Sequence, residues 1–214
     1  MSTAEMQRAL ARVLADAQLR ERFFKDPQGV GRQLGFGAEE VRRLAELSPK
    51  GLGLFASSLY SQWLFHISKV MPLTAYALGD RFATELRAYA ATHLPGGVRR
   101  IMQDALAFNL HLGKVLKRRK EERWVIDLLR YERARIKAAV PRRRVVACVF
   151  RHDISRLVRS LARKQGAEAH TRPCLALWAR LRRGETVRYA VVMLPQLRRK
   201  GINMDGQDRQ DRKK

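Results

Sequence analysis

Histidine and cysteine, which carry much of catalysis and metal binding, are few in this chain and mostly far apart. The five histidines are His66, His93, His111, His152 and His170. No two of them have the i, i+4 spacing that places a pair of metal ligands on one helical face. Cys148 and His152 are four residues apart, but the pattern places Cys148 in a strand and His152 in the loop after it. A nucleophilic or metal-binding pair there needs a chance convergence, and Cys174 is expected to be a small core residue.

Catalytic and cofactor motifs are also missing from the sequence. It contains no GxSxG nucleophile elbow, no HExxH zinc helix, no phosphate-binding P-loop and no GxGxxG after a strand. The sequence therefore predicts a non-enzymatic protein that needs neither a cofactor nor a bound metal.

The positive charge of the chain lies almost entirely in its second half. Residues 1–110 carry 14 Lys and Arg against 10 Asp and Glu, whereas residues 111–214 carry 30 against 10. Such asymmetry favours an acidic partner, whether nucleic acid, an anionic surface or an acidic protein. Arginines make up 33 of the 44 basic residues, so the alternative is a compositional bias that produces a solvated basic exterior.

Two dense basic runs are candidate contacts for a polyanion. They are Lys117, Arg118, Arg119 and Lys120, and then Arg142, Arg143 and Arg144. Either run could bind phosphates without reading sequence. The alternative for the first run is a polar helical junction that Glu121 and Glu122 partly balance. No zinc finger, homeodomain or RNA-recognition motif accompanies these runs, so nucleic-acid binding is an alternative function suggested by charge alone.

The composition is that of a folded protein, with 46% hydrophobic and 30% charged residues. The first residues lack the apolar segment of a signal peptide. The most apolar stretch, residues 52–71, contains three serines, a glutamine, a histidine and a lysine, which is typical of a buried helix and not of a membrane span. With only two cysteines, the sequence predicts a cytoplasmic protein without a membrane partner.

Residues 1–140 contain the start and stop signals of a helical domain. Ser2 and Glu5 form a capping-box pattern, and Asp26 and Ser48 each precede a proline that can occupy the first helical position. Further helices are predicted over residues 98–112 and 121–139, with Pro141 ending the last of them.

After Pro141 the hydrophobic pattern changes to that of a small sheet module, predicted over residues 141–197. Strands are predicted over residues 145–150, 174–181 and 186–194, with one helix over 154–162. Residues 198–214 have little to bury and are predicted to form a basic mobile tail. The predicted fold class is α+β, mostly α, with a three-stranded antiparallel sheet near the C-terminus.

The hairpin formed by the last two strands is the candidate peptide-binding site. A sheet of three strands leaves edges, and an open edge can accept an extended peptide through main-chain hydrogen bonds. The residues expected to face such a peptide are Trp178, Arg180, Arg188, Tyr189 and Val191. The alternative is that the hairpin only packs on the helix over residues 154–162.

Several stretches together resemble one bacterial protein family. They are MPLTAYALGDRFATELRAYA, HLPGG, QDALAF and RPCLALWARLRRGETVRYAVVMLP, and the earlier stretch LADAQLRERFFKDPQGVGRQLGFGAEEVRRLAEL resembles short helical units in bacterial peptide-biosynthesis proteins. The family comprises the partner proteins of multinuclear non-heme iron oxidative enzymes, which modify ribosomally made precursor peptides, as in methanobactin and thiaglutamate biosynthesis. The resemblance spans roughly residues 7 to 195 and consists of loose helix-packing patterns.

The resemblance implies a non-catalytic adaptor subunit. Its helical domain would dock on an iron-dependent peptide-modifying enzyme, and its sheet module would engage the leader part of the precursor peptide. The hairpin strands over residues 174–181 and 186–194 would then be the recognition region, and the iron would belong to the enzyme. The net charge of +24 departs from this picture, because docking to one peptide does not require it.

Overall fold

Ten helices and three strands make up the protein in a computed structural model, which describes residues 2–93, 100–140, 145–180 and 186–195. The helices are α1 Thr3–Ala15, α2 Ala17–Lys25, α3 Pro27–Leu34, α4 Ala38–Ala45, α5 Pro49–Val70, α6 Pro72–Leu78, α7 Asp80–Ala90, α8 Ile101–Arg118, α9 Arg123–Ala139 and α10 Ile154–Ala162. The strands are β1 Val145–Phe150, β2 Cys174–Ala179 and β3 Arg188–Met193. The predicted class, α+β and mostly α, is confirmed.

The N-terminal helices begin where their capping residues predict. The Ser2 hydroxyl accepts the Glu5 N–H at 3.3 Å, and the Glu5 carboxylate accepts the Ser2 N–H in return at 2.7 Å. Asp26 accepts the Gly29 N–H at 2.8 Å, and Ser48 accepts the Gly51 N–H at 3.2 Å. These side chains pair main-chain donors that a helix start leaves without an internal partner.

Two hydrophobic clusters hold the helices together. The first joins α1 to α4 and the start of α5 around Phe23 and Val13. The second joins α5 to α9 around Phe82, Phe108 and Leu112. Burial of several fully enclosed aromatic and aliphatic side chains in each cluster supplies most of the driving force for this packing.

The sheet has the order β1-β2-β3, and both strand pairs are antiparallel. One face packs on α9 and α10 and forms a third cluster. Its fully or largely buried members are Leu128, Tyr131, Ala134, Ala138, Phe150, Ile154, Leu157, Leu161, Cys174, Ala176 and Trp178. Since four of these residues belong to α9, that helix contributes to the second cluster on one side and to the sheet on the other.

Element boundaries differ from the sequence predictions at a few ends. Helix α8 continues past the predicted end at residue 112 to Arg118, because Leu116 is fully buried. It stops before Lys120, which adopts a left-handed conformation (φ 56°). Strands β2 and β3 are shorter than the predicted 174–181 and 186–194. The division into 1–140, 141–197 and a tail over 198–214 stays a prediction, and the tail lies outside the described residues.

No helix in the described part of the chain is both long and apolar enough to cross a bilayer.

Candidate functional site: the sheet edges and the basic surface beside them

Both outer strands of the sheet have an unpaired side among the described residues. No main-chain hydrogen bond there reaches the free side of β1 or β3. The Leu194 N–H donates to the Pro173 carbonyl at 2.9 Å, which continues the β2–β3 ladder. Because bonded and non-bonded positions alternate in an antiparallel pair, the main-chain groups of Tyr189, Val191 and Met193 point away from β2. A further strand could pair with them.

Trp178 and Arg180, two of the five predicted peptide-binding residues, support the sheet from within. Trp178 is only 4% exposed, and its ring lies 5.5 Å from that of Tyr131 and 5.0 Å from that of Tyr189, centroid to centroid. The half-buried Arg180 guanidinium donates to the Ala138 carbonyl of α9 at 3.5 Å. Trp178 is therefore placed to position Tyr189 and not to contact a peptide itself.

The other three predicted peptide-binding residues lie on the edge strand β3. Arg188 is exposed, Tyr189 is 44% exposed and Val191 is half-buried. Burial of the Tyr189 hydroxyl raises its pKa well above the usual range, and a hydrogen bond with Ser155 of α10 opposes that shift. Tyr189 therefore stays neutral with its hydroxyl engaged by α10, and it offers an aromatic surface to which Arg188 adds a positive charge.

The face of the sheet that points away from the helices is apolar instead of polar. Val145 and Val192 are each 59% exposed, and Val149 and Leu177 are exposed beside them. Antiparallel sheets with one solvated face usually alternate apolar and polar residues, so this face has the composition of a covered surface. Among the residues that the two strand pairs align, Arg188 is the one charged residue on this outer face.

The first predicted basic run lies at the end of α8, and its members are used differently. Arg119 forms an ion pair with the largely buried Glu85 of α7, so it holds two helices together. Lys117, Arg118 and Lys120 are exposed. The second run, Arg142, Arg143 and Arg144, lies outside the described residues.

Lys117 and Lys120 open onto a groove of about 680 Å³ between the α8–α9 turn and the end of β1. The charged side chains that line this groove are Lys117, Lys120, Glu121, Glu122, Arg123, Asp127, Arg130 and Arg151. Two of the carboxylates are already engaged, since Glu121 pairs with Arg81 and Asp127 pairs with Arg130 at 3.2 Å. The groove therefore has a positive balance that could hold an anionic group.

Asp127 is a buried carboxylate that fixes the end of β1 to the start of α9. It accepts the main-chain N–H groups of Arg151 and His152 at 2.9 and 3.1 Å, and the His152 Nδ1 lies 2.9 Å away. This arrangement commits the His152 Nδ1 to Asp127. Burial raises the pKa of the Cys148 thiol, although Arg130 and Arg133 oppose the shift, so the reactive thiolate is disfavoured. Cys174 is fully buried, as its core interpretation predicts.

His93 and His111 come together although they are distant in sequence. Both rings pack against Tyr89, with centroid separations of 4.1 and 4.9 Å, and lie 5.8 Å from each other. Burial lowers the pKa of His111, and the nearby His93 adds to that effect. Within the described ranges, no group of three or more His, Cys, Asp or Glu residues could hold a metal ion.

One face of α9 carries a basic feature that the sequence prediction overlooked. We call it the α9 stripe, formed by Arg123, Arg130, Arg133 and Lys137. Their separations of 7, 3 and 4 residues correspond to two, one and one helical turns. The signal was present in the sequence, but buried residues alternate with these cations, so no dense run marked them.

Comparison with protein-family models finds no matching family, and comparison with curated proteins finds no similar sequence.

Proposed function

We propose that this protein is a non-catalytic cytoplasmic adaptor that binds a peptide on the free edge of β3. The observation that carries the proposal is an unpaired edge strand with Tyr189 and Arg188 accessible beside it. Strand addition at such an edge draws affinity from main-chain hydrogen bonds and specificity from neighbouring side chains. The resemblance to partner proteins of iron enzymes supports the same role and makes the peptide a precursor to be modified.

An exposed apolar surface on α5 supports docking on a larger partner. Leu54, Phe55, Leu59 and Phe65 are all exposed on this helix, and the Lys69 ammonium lies 4.1 Å from the centre of the Phe65 ring. Exposed apolar surfaces of this kind often mark interaction sites. In the proposed role this surface contacts an iron-dependent peptide-modifying enzyme, which performs the chemistry.

Arg188→Ala tests the β3 site without disturbing packing, since Arg188 is exposed. Random dodecapeptides displayed on phage would be panned on the full chain, and the affinity of an enriched peptide measured by calorimetry. We expect Arg188→Ala to lower the affinity for that peptide by about fivefold to tenfold. Tyr189→Ala should weaken it further and also cost about 1 kcal/mol of stability, because contacts with Trp178 and Tyr131 are lost.

Arg8→Ala and Tyr76→Ala are the matched controls, since both residues are exposed and lie on α1 and α6, outside the sheet. They should leave the affinity unchanged. Enriched peptides that bind the Arg188→Ala and Tyr189→Ala variants as tightly as the original chain would refute the β3 site.

The groove at the α8–α9 turn favours a second candidate function, nucleic-acid binding. Under that hypothesis the logarithm of the association constant for a 12-base-pair duplex should fall linearly with the logarithm of the salt concentration, with a slope of roughly 0.9 per phosphate neutralised. Lys117→Glu with Lys120→Glu should then reduce the slope by about 2. The adaptor role instead predicts weak duplex binding that these substitutions barely change. Fluorescence anisotropy at about 50 and about 200 mM salt measures the affinities, because phosphate contacts lose much of their contribution to affinity over that range.

A further inference from the structure

Helix α9 lies alongside β1 over the whole length of the strand and runs in the opposite direction. At one end Asp127 accepts the main-chain N–H groups that follow β1. At the other end the Ala138 carbonyl accepts from Arg180, which follows the strand paired with the start of β1. The two elements therefore form the walls of one long surface.

The α9 stripe faces the β1 side of that surface. The Arg130 guanidinium lies 5.6 Å from the centre of the Phe150 ring at the end of β1. Both Arg130 and Arg133 act electrostatically on the Cys148 thiol in the middle of the strand. Arg130 and Arg133, the two central cations of the stripe, therefore lie beside the strand.

Most of the stripe has no carboxylate of its own. Arg130 shares Asp127 with His152 and two main-chain donors. Within the described part of the chain, no ion pair is formed by Arg123, Arg133 or Lys137. Arg133 and Lys137, neighbouring members of the stripe, therefore favour an acidic ligand from outside.

The free edge of β1 offers main-chain groups that match such a ligand. Because Val146, Cys148 and Phe150 pair with the inward positions of β2, the N–H and C=O groups of Val145, Ala147 and Val149 point away from the sheet. The side chains of these same three residues lie on the exposed apolar face. A strand added here would therefore have the α9 stripe on one side and an apolar surface on the other.

We propose that the β1 edge and the α9 stripe form a second peptide-binding site, which takes an extended segment of alternating acidic and apolar residues. The acidic side chains contact Arg130, Arg133 and Lys137, and the apolar side chains extend the outer face beside Val145 and Val149. Period-two alternation of side chains along a strand makes both contacts compatible. A peptide satisfies both the N–H and the C=O groups of β1, whereas a nucleic-acid backbone presents acceptors and few donors. This site is separate from the β3 site and does not depend on it.

Fluorescence anisotropy with a labelled (Glu-Val)5 peptide on the full chain tests the charge requirement. Arg133→Glu with Lys137→Glu should weaken binding by about tenfold or more, while Arg8→Glu with Lys50→Glu, which changes the net charge equally, should change it by less than about twofold. A (Lys-Val)5 peptide should not bind. Equal losses with both double variants would show that net charge alone attracts the peptide, and would overturn the site.

Ala147→Pro tests strand addition at the β1 edge. Proline removes the outward N–H at this exposed position and leaves the bonds from β1 to β2 intact, so folding should survive. We expect about a tenfold loss of (Glu-Val)5 affinity. Retained affinity of the Ala147→Pro variant for the peptide would overturn the proposal. So would full displacement of the peptide by a dT12 oligonucleotide that binds the Ala147→Pro variant as tightly as the original chain.

Amide hydrogen exchange on the unmodified chain gives a readout that needs no variant. Added (Glu-Val)5 should protect the amides of Val145, Ala147 and Val149 and leave those of Tyr189, Val191 and Met193 unchanged. Protection of the three β1 amides before any peptide is added would mean that the edge is already occupied, and would overturn the site. Phage-selected peptides that compete with (Glu-Val)5 report on the β1 edge, and those that do not compete report on β3, so the two failures are distinguishable.

Discussion

Replacing Glu132 by alanine is expected to destabilise the protein by about 3–5 kcal/mol. Glu132 on α9 is fully buried, and its two carboxylate oxygens accept the N–H groups of Leu73 and Thr74 at 2.9 and 3.1 Å. These donors open α6, whose N-cap residue Met71 supplies no side-chain bond. The substitution would leave two buried N–H groups without an acceptor and also create a cavity. Urea unfolding followed by circular dichroism measures the loss.

Glu132→Gln and Glu46→Ala are the controls for this result. The amide keeps the volume and one acceptor oxygen, so about 1–3 kcal/mol should be lost. Burial raises the pKa of Glu132, which means that its charge already costs stability. Replacing the exposed Glu46 by alanine should change the free energy of unfolding by less than about 0.5 kcal/mol. A Glu132→Ala variant as stable as the original would show that α6 does not rely on this carboxylate.

Replacing Asp127 by alanine is the second large expected effect, at about 3 kcal/mol or more. Its carboxylate joins the start of α9 to the residues after β1 through two main-chain donors and the His152 ring. Without it, these donors lose their acceptor in a buried position and the end of β1 is no longer fixed to the helix. Urea unfolding should show the lower stability.

Asp153→Ala provides the comparison for Asp127, because Asp153 only caps α10 by accepting the Arg156 N–H at 3.1 Å. Loss of a helix cap costs typically about 1 kcal/mol. Equal losses for the two variants would contradict the role assigned to Asp127 as the connection between α9 and the sheet.

Local chemistry made much of the fold predictable from the sequence. Ser2, Asp26 and Ser48 mark helix starts because their short side chains reach the main-chain donor three residues ahead. The apolar, largely β-branched run over β1 predicts a strand for equally local reasons. Several element ends were misplaced, because burial of a residue such as Leu116 extends a helix beyond its apparent end. The short helix α6 was not predicted.

The features that connect distant parts of the chain could not be predicted in the same way. Glu132 caps a helix that begins 60 residues earlier, and Asp127 pairs with residues 24 and 25 positions later. Nothing in the local pattern distinguishes these buried carboxylates from solvated ones. The α9 stripe was missed for a related reason, since its meaning depends on the strand beside it.

Residue-resolved amide hydrogen exchange with a bound phage-selected peptide tests the adaptor role most directly. The account predicts new protection at Tyr189, Val191 and Met193, whose main-chain groups face the free side of β3. Amides on the helices should change little. An unchanged β3 edge in the complex, or an edge already protected in the free protein, would contradict peptide binding by this strand.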